Sequence, residues 1–124
     1  MLRITSRQGS EAPNFSRVRA TTNEKFDFHE YIEGSWAILF SHPCDFTPVC
    51  TTELAEFARN YDEFKIRGVK LVGLSVGTIK HHNEWIKHIH NTLKIRFPKS
   101  PNLRVQFPII ADNEKGDIAK MYNM

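Results

Sequence analysis

Trp36-Ala37-Ile38-Leu39-Phe40-Ser41-His42-Pro43-Cys44-Asp45-Phe46-Thr47-Pro48-Val49-Cys50 reads as a strand, a loop and the start of a helix. The first five residues form an unbroken apolar run, which suits a strand covered on both faces. Residues 41–48 hold two prolines and an aspartate, so they are a loop. Thr47 is the natural N-cap, and Pro48 takes the first helical position, where its missing N–H costs nothing. Cys50 therefore falls in the first turn of a helix.

Outward from this stretch, strands and helices alternate. Cys50, Leu54, Phe57, Ala58, Tyr61 and Phe64 recur at helical spacing, and Gly68 ends that helix. Residues 69–76 read as the next strand, and Gly77-Thr78 opens a helix carrying Trp85, Ile86 and Ile89. Residues 91–106 read as a loop in which Lys94, Arg96, Lys99 and Arg104 concentrate positive charge. Phe107-Pro108-Ile109-Ile110 is a third short strand, after which Asp112 or Asn113 caps a helix with Ile118, Ala119 and Met121 inward. Toward the N-terminus, residues 9–20 suggest a turn and then extended chain burying Phe15, Val18 and Ala20. Phe26-Asp27-Phe28 alternates as a half-buried strand does. The pattern is that of an α/β domain, a parallel or mixed sheet with helices on its faces. One domain over residues 1–124 is expected, with its C-terminal part missing, because Met124 falls in a helix that shows no stop signal.

The chain has 124 residues, 17 Lys+Arg, 14 Asp+Glu, six His and two Cys, for a formal net charge of +3. That length allows a single domain, and a 40% apolar content supplies a core. No apolar run approaches the roughly 18 residues that a membrane-spanning helix needs, so no transmembrane segment is expected. The basic stretch lacks any nucleic-acid-binding motif and reads as a solvated loop. Two cysteines six residues apart do not make a disulfide scaffold, and residues 1–7 have no apolar secretory core. A cytoplasmic protein is expected, with a mitochondrial location as the lesser alternative.

The chemistry centres on Cys50. Unpaired N–H groups and the positive end of the helix dipole favour a thiolate there, and the thiolate is the nucleophilic form. Thr47 sets a hydroxyl beside the same thiol, and Pro43 and Pro48 stiffen the loop. Position alone leaves two readings open, a reactive thiol or an inert one facing the core beside Leu54 and Phe57. His81, His82, His88 and His90 cluster near the second helix, but without the paired spacing of a structural zinc site; no metal is expected.

Gly9-Ser10-Glu11-Ala12-Pro13-Asn14-Phe15, Trp36 through Pro43, Asp45 through Leu54 and Phe107-Pro108-Ile109-Ile110-Ala111-Asp112 together resemble the peroxiredoxins (the AhpC/TSA type). The match is nearest to the one-cysteine, peroxiredoxin-6-like branch, through Ser41-His42-Pro43 and Thr47-Pro48-Val49-Cys50-Thr51-Thr52-Glu53. The resemblance implies a thioredoxin-like fold and a thiol peroxidase acting on hydrogen peroxide and alkyl hydroperoxides. It implies Cys50 as the peroxidatic cysteine, passing from thiolate to sulfenic acid. It further implies Thr47 as the peroxide-aligning residue, Pro43 as a shield and His42 near the pocket in a supporting or purely structural role. The implied reductant is an external thiol: glutathione, delivered by a glutathione transferase, or thioredoxin; ascorbate is a further option. No haem, flavin or metal is needed, and a homodimer is expected of a full-length form.

The chain departs from the family pattern in several places. The family's later strand carries an arginine that completes the site, and nothing here matches it; Arg96 and Arg104 precede the third strand. Cys44 stands where relatives carry another residue. It reads as a bystander, with a resolving thiol as the alternative, if its Cα comes within about 4.4–6.8 Å of that of Cys50. The loop at residues 91–106 looks longer than its counterpart. A phospholipase-like serine and histidine fall on Ser35 and His29, but Gly34-Ser35-Trp36-Ala37 lacks the motif's second glycine. Two function classes follow: a peroxidase working through Cys50, or a catalytically impaired fragment acting as a redox sensor or a non-catalytic partner of full-length subunits.

Overall fold

The computed structural model describes residues 8–42 and 45–124. Its elements, in chain order, are α1 (Phe28–Ile32), β1 (Trp36–Ser41), α2 (Pro48–Arg59), α3 (Tyr61–Ile66), β2 (Val69–Val76), α4 (Ile79–Arg96), β3 (Ile109–Asp112) and α5 (Asp117–Met121). The strands form one parallel sheet in the order β1-β2-β3. Trp36 pairs with Val69 at one end of the β1–β2 ladder, and Ser41 pairs with Leu74 at the other. Isolated antiparallel bridges join Val18 to Phe26 and Ala20 to Ile110.

Period-two alternation along β2 sorts the core onto two faces. Leu71 meets Leu54, Ala58, Trp85, Ile89 and Leu93 beneath α2 and α4. Val72 and Leu74 point the other way, into Phe15, Phe26, Phe28, Ile110 and Ile118. Gly73 sits on the helix-covered side, where an added Cβ would stand 3.3 Å from the Phe40 ring and 3.4 Å from Ile109. The Phe40 ring is itself stacked on Phe57 at a centroid distance of 4.5 Å.

Several elements differ from the sequence expectation. β1 is not covered on both faces: Trp36 is 79% exposed and Ile38 is 39% exposed. Both share a face with Phe40, and Phe57 of α2 covers only the Phe40 end. Phe28 belongs to a helix and not to a strand, since the Asp27 carboxylate caps α1 by accepting the Glu30 N–H at 3.1 Å. The long helix from Pro48 breaks at Asn60, whose backbone and side-chain N–H groups both bond to the Glu56 carbonyl, separating α2 from α3. α4 runs on to Arg96, so Lys94 and Arg96 lie on its last turn and the loop is shorter.

β3 begins two residues later than expected, because Pro108 cannot donate to the ladder; its carbonyl instead accepts the Gly73 N–H. The last helix starts at Asp117, not directly after Asp112. The Asp112 carboxylate still serves it, accepting from the Ile118 and Ala119 N–H groups at 3.1 Å each. Met124 lies just past α5 and not inside a helix: Asn123 adopts φ 59°, and the Met124 N–H bonds back to the Ala119 carbonyl. Tyr122 then donates its hydroxyl to the Pro13 carbonyl, tying α5 to the segment before α1. Burial pushes that phenol's pKa up to about 12.

Candidate active site

The start of α2 is built as its sequence dictates. Thr47 is extended at φ −70° and ψ 142°, Pro48 opens the helix, and the Thr47 hydroxyl oxygen accepts the Cys50 N–H at 3.4 Å. The Thr47 carbonyl takes the Thr51 N–H at 2.9 Å. Since its oxygen is the acceptor in the cap, the Thr47 hydroxyl keeps a proton to donate elsewhere. Cys50 is a free thiol, 6% exposed, packed in the cluster that contains Leu54 and Trp85. The residue is at a helix N-terminus and it also lines the core.

A buried polar network stands beside this helix start. Asp45 is withdrawn from solvent, and its two carboxylate oxygens face two histidines. Oδ1 lies 2.9 Å from Nε2 of His42, and Oδ2 lies 2.5 Å from Nδ1 of His82 on α4. The more exposed His81 approaches Oδ2 at 3.9 Å. Burial by itself would raise the Asp45 pKa, but the hydrogen bonds from His42 and His82 and their charge outweigh it and hold the carboxyl at about 2. The other ring nitrogen of His82 faces the Ser75 carbonyl at 3.2 Å. Each ring nitrogen of His82 thus faces an oxygen. His42 gives its backbone N–H to the Leu74 carbonyl, lies tilted against Trp85 at 4.6 Å between ring centres and leaves Nδ1 buried without a hydrogen-bond partner among the described residues. Trp85 in turn donates its indole N–H to Thr51 Oγ1 at 3.0 Å, beside Cys50.

Phe46, between Asp45 and Thr47, holds φ 66° in the left-handed region. Its ring rests against His81 at 5.1 Å and His88 at 5.6 Å, so these two histidines do share a face. Pro43 and Cys44 lie outside the described residues. Ser35 donates to the Ile32 carbonyl, and His29 Nε2 faces the Ala12 carbonyl at 2.6 Å, so each is engaged locally. His90 Nε2 accepts the Val105 N–H at 3.0 Å; burial, then Lys94 and Arg104, lower its pKa. A groove of about 820 Å³ lies along α2 and α3, floored by Phe57 and Phe64 and edged by Glu53, Glu56 and Glu63. It does not include Cys50. Asp45 and His82 do not stand out from sequence as site residues, because their pairing spans 37 positions.

Comparison with known proteins agrees with the motif. The family model described as "AhpC/TSA family" matches residues 8–124. The chain is 45% identical over 118 residues to the mitochondrial peroxiredoxin PRX1 of Saccharomyces cerevisiae, covering 95% of this chain and 41% of that protein. It is 45% identical over 116 residues to the 1-Cys peroxiredoxin PER1 of Arabidopsis thaliana, covering 94% and 49%. Among solved structures, a yeast mitochondrial 1-Cys peroxiredoxin superposes with a TM-score of 0.72 at 46% identity, covering 90% of this chain and 46% of that one. A cysteine-to-serine mutant of peroxiredoxin 6 from Arenicola marina also gives 0.72, at 39% identity and covering 83% and 43%. The chain spans about half the length of the curated relatives it matches. Among the described residues, no helix is long and apolar enough to cross a membrane.

Proposed function

Because the chain belongs to the AhpC/TSA family, with the thioredoxin-like fold of its structural relatives, we propose that it reduces hydrogen peroxide and alkyl hydroperoxides through Cys50. The observation that carries this reading is the Thr47–Cys50 cap, a thiol in the first turn of α2 whose own N–H is held by the N-cap hydroxyl.

The helix N-terminus favours negative charge on sulfur. The thiolate attacks one peroxide oxygen, the O–O bond breaks, and the other oxygen leaves as hydroxide or alkoxide, which takes up a proton. Sulfur is oxidised to sulfenic acid and the peroxide is reduced to water or alcohol. The free proton of Thr47 donates to the peroxide and aligns it. The family resemblance assigns Pro43 a shielding role, and His42, held by Asp45 and set against Trp85, a supporting one. One external thiol condenses with the sulfenic acid to a mixed disulfide, releasing water, and a second thiol restores Cys50. The yeast structural relative concerns resolution through glutathione and thioredoxin systems, and the same class of reductant is assigned here. A homodimer is the expected assembly of a full-length form.

Competition for hydrogen peroxide against a reporter of known rate tests this. Cys50 should react roughly a hundred- to a thousandfold faster than a free thiol, and Cys50→Ser should abolish the fast phase. A parental rate equal to that of free cysteine would overturn the assignment.

A further inference from the structure

Asp45 holds a place that the peroxidase reading leaves unused. Its carboxylate is joined to the end of β1 through His42 and to α4 through His82, and His82 reaches the end of β2 at the Ser75 carbonyl. One buried anion thus links three elements of the fold, two residues before the N-cap Thr47. Between them Phe46 sits at φ 66°, a conformation that side-chain-bearing residues adopt only where the surroundings over-determine it. We propose that Asp45 and His82 are positioning residues for Cys50: the pair clamps the Phe46 turn, and so keeps the Thr47 hydroxyl on the Cys50 N–H. The inference rests on Cys50 being the reacting thiol.

Without the clamp, Phe46 relaxes toward right-handed or extended backbone, and Thr47 swings out of the cap. The first turn of α2 then frays, and the Thr47 oxygen leaves the Cys50 N–H. Among the described residues, the titratable groups against the carboxylate are His42, His81 and His82, from the end of β1 and from α4. His82 is the one with no solvent exposure and acceptors at both ring nitrogens.

The test uses the whole chain in a Cys44→Ser background, so that Cys50 supplies the only thiol signal. Its rate of alkylation by iodoacetamide is followed against pH, without peroxide, beside the rate with hydrogen peroxide. Asp45→Asn and His82→Leu should move the alkylation profile to higher pH and cut both rates at neutral pH by roughly tenfold or more. His82→Asn keeps a donor at the Nδ1 position and should stay within about threefold of the parent. Val72→Ala, which destabilises the opposite face of the sheet, should leave the profile in place.

Folded Asp45→Asn or His82→Leu chains with parental profiles would overturn the positioning role. So would a shift in Val72→Ala as large as theirs. If His82→Leu does not fold, Asp45→Asn decides alone, and the reverse. Alkylation needs no peroxide: a slow parental peroxide rate with shifted variant profiles sinks the peroxidase reading only, while fast peroxide rates throughout sink the clamp only.

Discussion

The indole nitrogen of Trp85 lies 3.0 Å from the hydroxyl oxygen of Thr51, binding α4 to the first turn of α2 one residue after Cys50. The same ring lies against His42 and is itself fully buried. One side chain therefore closes the core and braces the site. Trp85→Phe keeps an aromatic ring but removes the donor and part of the volume, leaving the Thr51 oxygen without its partner. Urea unfolding should show a loss of about 2–4 kcal/mol, combining a lost hydrogen bond with a residual cavity. A change below about 0.5 kcal/mol would show that the contact adds nothing.

In the proposed mechanism Thr47 acts through its oxygen, in the cap, and through its proton, at the peroxide. Thr47→Ala should cost about 1 kcal/mol of stability by uncapping α2 and slow the reaction with peroxide. Thr47→Ser should restore both, since it retains the hydroxyl. Chemical denaturation and peroxide kinetics on the same three chains separate the two roles.

The acid limb of stability carries the signature of Asp45. Its folded pKa, about 2, lies below the unfolded reference of 3.8. Between those values the unfolded chain binds more protons, so stability rises with pH there. The contribution is complete above about pH 4 and is lost as the pH falls toward about 2. Thermal unfolding between these limits should be steeper in pH for the parent than for Asp45→Asn. Parallel slopes would contradict the depressed carboxyl.

Much of this architecture is legible in the chain itself. Thr47 followed by Pro48 fixes where α2 begins, because a cap and a residue without an N–H solve the same orphan-donor problem. Residues 69–76 read as a strand, and β2 spans them, with residues 71–75 buried. The uniform apolar run of β1 carries no sign that Trp36 and Ile38 are open, since coverage depends on what α2 reaches. The break at Asn60 is hidden because Tyr61 and Phe64 continue the helical spacing across it. At the site, Thr47 and Cys50 are legible from local spacing, whereas Asp45 and His82 meet only once α4 packs against the loop. Lys94 and Arg96 lie in the last turn of α4, where positive charge is favourable at the helix C-terminus, so the basic run marks the end of the helix and not a loop.

Gly73 tests the packing of the sheet. A methyl group at this position would meet the Phe40 ring at 3.3 Å, and that ring is held by Phe57 on one side and Phe107 on another. With little room for the ring to yield, Gly73→Ala should destabilise the chain by about 1–3 kcal/mol, as overpacking does. An unchanged denaturation midpoint would mean that the Phe40 ring moves freely.

The most direct measurement treats the reduced chain with one equivalent of hydrogen peroxide and follows intact mass with time, with Cys50→Ser and Cys44→Ser chains alongside. If Cys50 is the peroxidatic thiol, one oxygen is gained rapidly, survives Cys44→Ser and disappears in Cys50→Ser. Slow oxidation, equal at the two cysteines, would contradict this and leave the Thr47–Cys50 cap as a structural feature without peroxidase chemistry.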